Sequence, residues 1–291
     1  MEAIALYKEP RLKNPHLVAA WPGMGRVAIA AAGYLKEKLG AEEFGEIKPY
    51  DFFHPTVVPV RESIIGEPEF PESKFYFCSS EGADLIIFTA KAQPSTKGYQ
   101  LANLVLDVAQ RFKVKRVYTF AAAPSHVYHA RKPRVLVATT NPKLVPELER
   151  YNAILMSRGG ISGMNGLLLG AAGERGMDGF CLLGQIPAYT TDIANPRSSQ
   201  AVLEVLAEML HLEIDMKEID EWGRQTDQEI EGNIERLRQS GGEEASRLVD
   251  YFEQLKLASP EEVEASPKHA TEELFRQIEE FLKRRGGKED H

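Results

Sequence analysis

The chain has only two cysteines in 291 residues, Cys78 and Cys181, both within apolar runs and neither in a metal-ligand spacing. That scarcity excludes a disulfide scaffold and a cysteine-based zinc site, and buried free thiols in a cytoplasmic protein are expected. No apolar run reaches the ~18 residues of a membrane span. Residues Met1 to Glu9 lack a basic segment, a long apolar core and a cleavage site, so no signal peptide is expected. Lysine and arginine form no cluster, which argues against nucleic acid as a partner. A G-x-x-x-x-G-K-[ST] phosphate loop and a G-x-S-x-G nucleophile elbow are both missing.

What is present is enough apolar material, 43% of residues with 9% aromatic, to bury a sizeable core. The formal net charge of −8 is uneven: from Glu213 onward the chain carries net −10, and the part before it is nearly neutral. That shift places a boundary between a body, residues 1–222, and an acidic helical extension, residues 223–291.

The body alternates strands and helices. The apolar run His16 to Ala20 breaks at Pro22, crosses Gly23 and Gly25, and enters an alanine-rich helix to Leu39. Asp84 to Ala90 is a continuous apolar strand of the kind buried on both faces. Tyr99 to Lys113 carries Leu101, Leu104, Val105, Val108 and Phe112 at helical spacing. Strands follow at Phe75 to Cys78, Val117 to Phe120, Val135 to Thr139, Ile154 to Met156 and Gly179 to Leu183. Further helices are expected over Pro142 to Tyr151, Gly163 to Arg175 and Arg197 to Leu212. Prolines 49, 55 and 59 bar the stretch from Glu46 to Val60 from a central strand, leaving an edge hairpin or looped excursion. Such alternation implies a mainly parallel sheet covered on both faces. The extension is helix-prone over Ile214 to Arg238 and Ala245 to Lys256. A capping box follows at Ser259 to Glu262, a second start at Ser266-Pro267, and an apolar stripe at Leu274, Phe275, Ile278, Phe281 and Leu282.

Ligands of parallel α/β sheets sit at the carboxyl ends of the strands. The loops to inspect are therefore 21–26, 91–98, 121–133, 157–165 and 184–191. Gly23, Gly25 and Ala28 fit G-x-G-x-x-A, but Glu42, Glu43 and Glu46, the acids near the ribose-binding distance, do not end a clean strand. Free N–H groups at such a turn suit either an anion or tight packing. Gly160, Ser162, Gly163 and Asn165 open another glycine-rich helix and could face the same crevice. Arg26 and Gln93 complete the candidate anion or ligand site; no catalytic or metal-ligating set emerges. Ser125, His126 and His129 lack a nearby acid to orient a histidine, and both histidines read as a solvated loop.

With these motifs in order, the chain resembles archaeal and bacterial members of the proteasome-assembly-chaperone family, second type. The matching elements are Pro22 to Val27 with its helix to Leu35, Phe53-His54-Pro55, Asp84 to Ile86 leading to Gln93-Pro94, Ile161 to Gly170, Cys181 to Gly184, and Leu212 to Asp215. The resemblance implies a three-layer α/β/α fold similar to nucleoside phosphorylases, usually in a homo-oligomer, with a role in some members in helping proteasome subunits assemble. Members that dock on the proteasome core are expected to end in a hydrophobic–tyrosine–any tail, whereas this sequence ends Lys288-Glu289-Asp290-His291. The leading expectation is a non-catalytic, cytoplasmic, oligomeric assembly chaperone or scaffold without cofactor. Its partners would be copies of itself and proteasome subunits or another protein. The alternative is a phosphate- or nucleotide-binding protein or enzyme that uses the glycine crevice.

Overall fold

The computed structural model describes residues 3–55 and 58–257, so the capping box at Ser259, the start at Ser266 and the stripe from Leu274 to Leu282 lie outside the described residues. The chain begins with β1 (Ile4–Leu6) and β2 (His16–Ala20), then α1 (Val27–Lys38) and β3 (Glu42–Ile47). A small hairpin, β4 (Val60–Arg61) and β5 (Ile64–Ile65), stands apart from the main sheet. The chain continues through β6 (Ser73–Cys78), β7 (Leu85–Ala90), α2 (Gly98–Arg111), β8 (Val117–Ser125) and β9 (Val135–Thr139). After α3 (Val145–Leu148) come β10 (Ile154–Leu155), α4 (Gly163–Glu174), β11 (Gly179–Pro187) and α5 (Pro196–Leu210). Two long helices, α6 (Lys217–Ser240) and α7 (Glu243–Leu257), follow.

Nine strands form one sheet in the order β1-β3-β6-β7-β2-β8-β11-β9-β10. The four central strands, β7, β2, β8 and β11, run parallel, whereas β6 and β9 flank them antiparallel. β2 shows why the centre is buried on both faces. Its side chains alternate, with Leu17, Ala19 and Trp21 joining one core and Val18 and Ala20 the other, and all five are fully buried. Helices α1 and α5 cover the Val18 face, and α2 and α4 cover the Leu17 face, giving three layers. The expected α/β architecture is the one observed.

Two strands of the main sheet went unread in the sequence. β1 is only three residues long and pairs antiparallel with β3 at the sheet edge. β3 holds Glu42, Glu43 and Glu46, but it lies three positions from β2 in the sheet, not beside it. Each of these acids is ion-paired within the chain, to Lys8, Lys74 and Lys48. An acid on β3 is thus too far across the sheet to hold a ribose at the Gly23 turn. Both cysteines are buried free thiols, pushed up by burial to about 11 for Cys78 and about 12 for Cys181, so neither is a reactive thiolate. Among the described residues, no helix is long and apolar enough to cross a membrane.

The helix α6 runs unbroken across residue 222 and lies along α5, where Gly223 clears the stem of Arg197. Arg197 pairs there with the half-buried Asp227. With α7, it closes a third core over the loops that leave β8 and β11. Ile230, Ile234, Leu237, Leu248, Phe252 and Leu255 pack around Tyr128 and Tyr189. The helical spacing of Leu248, Phe252 and Leu255 therefore finds its cover within the chain.

That cover also buries His129, which the sequence placed in solvent. Its main-chain N–H donates to the Tyr189 hydroxyl at 3.0 Å, and its Nδ1 lies 3.0 Å from the same oxygen. The Glu231 carboxylate is 3.7 Å from Nε2, beyond hydrogen-bond reach. Burial therefore outweighs the attraction of Glu231 and pushes the imidazole down to about 4. Between pH 6.5 and 4 the unfolded chain takes up a proton that the folded chain refuses, so the folded state loses stability as pH falls. His16 is pushed down by burial to a similar value and contributes in the same direction. His129→Gln is expected to remove on the order of 3 kcal/mol of the stability lost between pH 7 and pH 4, read as the wild-type–variant difference in urea unfolding. An unchanged difference across that range would show His129 to be solvated.

Candidate functional site

The strand-end loops of β2, β7, β8 and β11 share one rim because those strands are parallel. The loop from Ser157 is different, since β10 runs against the central strands and residues 157–162 carry the chain back to the rim. There α4 starts, and its first turn meets the end of β2. The two glycine-rich turns thus lie together at one edge of the sheet.

Two side-chain amides make the junction. Asn165, buried in the first turn of α4, accepts the Trp21 N–H at 3.0 Å and donates to the Trp21 carbonyl at 3.2 Å. Its amide extends the hydrogen-bonding of β2 as a neighbouring strand would. Gln93, in the loop between β7 and α2, donates to the Pro22 carbonyl at 2.6 Å and accepts the Met164 N–H at 3.1 Å. A Cβ on Gly163, whose φ is +73°, would sit 3.2 Å from the Gln93 amide. Trp21 anchors the junction from below, its ring 4.9 Å from Phe88.

Gly25 faces the other way. Its N–H donates to the Thr191 carbonyl at 2.5 Å, and its carbonyl accepts the Asn195 N–H at 2.8 Å. At φ +62° a side chain is strained, and a Cβ would lie 2.8 Å from Asn195 Nδ2. Asn195 is itself pinned by the carbonyls of Thr190 at 2.8 Å and Ile193 at 2.9 Å. The Arg26 N–H is bonded to the Gly23 carbonyl at 3.0 Å, and its side chain is exposed.

Of the candidate residues, the fold brings Gly23, Gln93, Gly163 and Asn165 into one cluster, a Cβ on Gly23 lying 3.9 Å from Asn165 Nδ2. Gly25 belongs to the adjoining contact with the β11–α5 loop, and Arg26 follows it with its side chain in solvent. Gly160 and Ser162 stand exposed at the approach to α4, and Ser162 makes no side-chain cap on that helix. The main-chain N–H groups of Trp21, Gly25, Arg26 and Met164 are all committed inside the chain. Chemically, the cluster fixes loop geometry. Asn195 was missed in the sequence, although Asn195-Pro196, an asparagine before proline at a helix start, carries a legible signal.

Around these amides the rim presents apolar side chains to solvent, Met24 at 45% exposure and Leu167 at 37%, while the Tyr99 hydroxyl donates to Glu174 at the far end of α4. A Cβ on Gly98 would meet Leu167 at 3.4 Å and Met164 at 3.2 Å, which places the starts of α2 and α4 side by side.

The profile of the PAC2 family matches residues 17–234. An uncharacterized protein of Methanocaldococcus jannaschii is 29% identical over 222 residues, 76% of this chain and 83% of that protein. The crystal structure of Pyrococcus furiosus PbaB, described as an archaeal proteasome activator, is 31% identical with a TM-score of 0.67, covering 77% of this chain and 95% of its own. Pyrococcus furiosus PbaA, described as an archaeal homolog of proteasome-assembly chaperone, shares the fold at 22% identity and TM-score 0.62, covering 87% of this chain and 97% of its own.

Removing the Asn165 amide leaves a buried N–H and C=O of Trp21 unpaired, a cost of about 2–4 kcal/mol. Asn165→Leu is therefore expected to lower unfolding free energy by that amount. Gly25→Ala should cost about 1–3 kcal/mol from its positive φ and the clash with Asn195. Urea titration at pH 7 measures both, and a change under 0.5 kcal/mol in either would break the geometric account.

Proposed function

This chain belongs to the PAC2 family, and from that premise we propose that it is a non-catalytic assembly chaperone or activator whose partner is a proteasome subunit. It works in the cytoplasm as a homo-oligomer, as the family resemblance implies. The observation that carries this reading is the state of the rim. The N–H groups of Trp21, Gly25, Arg26 and Met164 and the amides of Gln93 and Asn165 are spent within the chain while Met24 and Leu167 are left to solvent, so the surface suits a protein partner better than an anion. Gly23, Gly25, Gln93, Gly163 and Asn165 form the frame that holds those side chains in place, and Arg26, Gly160 and Ser162 stand exposed beside it. The likeness to PbaB extends over most of both chains and supports a proteasome as the partner.

Mixing the protein with separately purified proteasome subunits is expected to raise the yield of assembled particle and to give a complex in light scattering after gel filtration. Met24→Asp together with Leu167→Asp should weaken that complex at least tenfold without shifting the unfolding midpoint. Equal assembly yields with and without the protein, and no complex, would overturn the proposal.

A further inference from the structure

Among the described residues the sheet ends at β1, and no strand lies beside its outer edge. Ala3 accepts the Lys48 N–H at 2.8 Å, and Tyr7 donates to the Phe44 carbonyl at 2.7 Å, so the odd-numbered residues face β3. By the alternation of an antiparallel pair, the N–H and C=O groups of Ile4 and Leu6 point outward, away from the sheet. Among the described residues they meet no main-chain partner. The side chains of Ile4 and Leu6 share the face covered by α2, and a groove of about 570 Å³ runs there between them and Leu104 and Val108. That volume falls within the roughly 300–1,000 Å³ of pockets that hold ligands.

The charges along the groove are already matched. Lys8 pairs with Glu42 at 2.8 Å, Glu9 with Arg111, and Asp107 with Arg175 at 2.8 Å. Recognition here rests on main-chain hydrogen bonds and on the exposed flank of Leu104, not on a charged partner. We propose that β1 and its groove bind an extended, uncharged peptide segment of another protein, which adds as a tenth strand and sets its alternate apolar side chains over Leu104 and Val108. A second copy of this chain fits less well. Two three-residue edges laid together bury far less than the ~800 Å² per partner of a stable interface. The site lies on the edge strand, apart from the rim proposed to meet proteasome subunits, so each can fail without the other.

The test uses a blocked heptapeptide of alternating threonine and valine with the full chain. Saturating peptide is expected to slow amide exchange of Ile4 and Leu6 at least tenfold. N-methylation of one alternate set of peptide amides should weaken binding at least tenfold while methylation of the other set spares it, a comparison that leaves the protein unaltered. Leu104→Glu, at a half-buried position, should weaken binding similarly. No binding at millimolar peptide would overturn the proposal. So would equal binding of both methylated peptides, which would mean apolar capture without strand addition. Concentration-dependent protection of Ile4 and Leu6 without peptide would overturn it in favour of a second copy.

Discussion

The end of β2 is the constraint on which the rest of the site depends. A parallel strand at the centre of a sheet runs out of neighbours where its ladder stops, and its last N–H and C=O must find partners or stay in water. Here Trp21 is fully buried, so water is not available, and the Asn165 amide supplies both bonds from α4. Because α4 also meets Gln93, and Gln93 meets Pro22, the loops after β2 and β7 and the start of α4 become one rigid unit. The Gly25 exchange with Thr191 and Asn195 fastens the β11–α5 loop to the same unit. Three strand ends and the start of α4 are held in register by three polar residues and one left-handed turn.

Such an arrangement favours shape over chemistry. A catalytic site keeps polar groups poised for a substrate, with donors aimed at a charge that appears only during reaction. In this rim the N–H groups of Trp21, Gly25, Arg26 and Met164 are satisfied in the resting state, and Met24 and Leu167 lie exposed beside them. The α6–α7 pair has a parallel effect at the neighbouring strand ends, where it roofs the loops after β8 and β11 and takes Tyr128, His129 and Tyr189 out of solvent. One half of the carboxyl edge is covered by α6 and α7, and the other, among the described residues, carries the exposed Met24 and Leu167.

Much of this was legible because periodicity reports burial. The unbroken apolar run from Leu85 to Ala90 and the helical spacing in α2 and α5 follow from which faces are covered, and the sequence records that directly. The convergence of the two glycine turns was anticipated through the wrong strand, since β10 runs antiparallel to the central strands and residues 157–162 return the chain to the rim. β1 was not, because three residues are too few to show a period. His129 was misplaced because a loop looks solvated until something folds over it, and the covering helices begin almost ninety residues later. Asn165 was picked out for its position at a helix start. Its role as a surrogate strand depends on a partner 144 residues away, which no local pattern encodes.

Native mass spectrometry of the protein mixed with proteasome subunits, inorganic phosphate and nucleotides sets the two uses of the rim against each other most directly. The account predicts ions of a complex between the protein and a subunit, and protein ions that carry neither phosphate nor nucleotide. Retained nucleotide or phosphate on a protein that captures no subunit would contradict it.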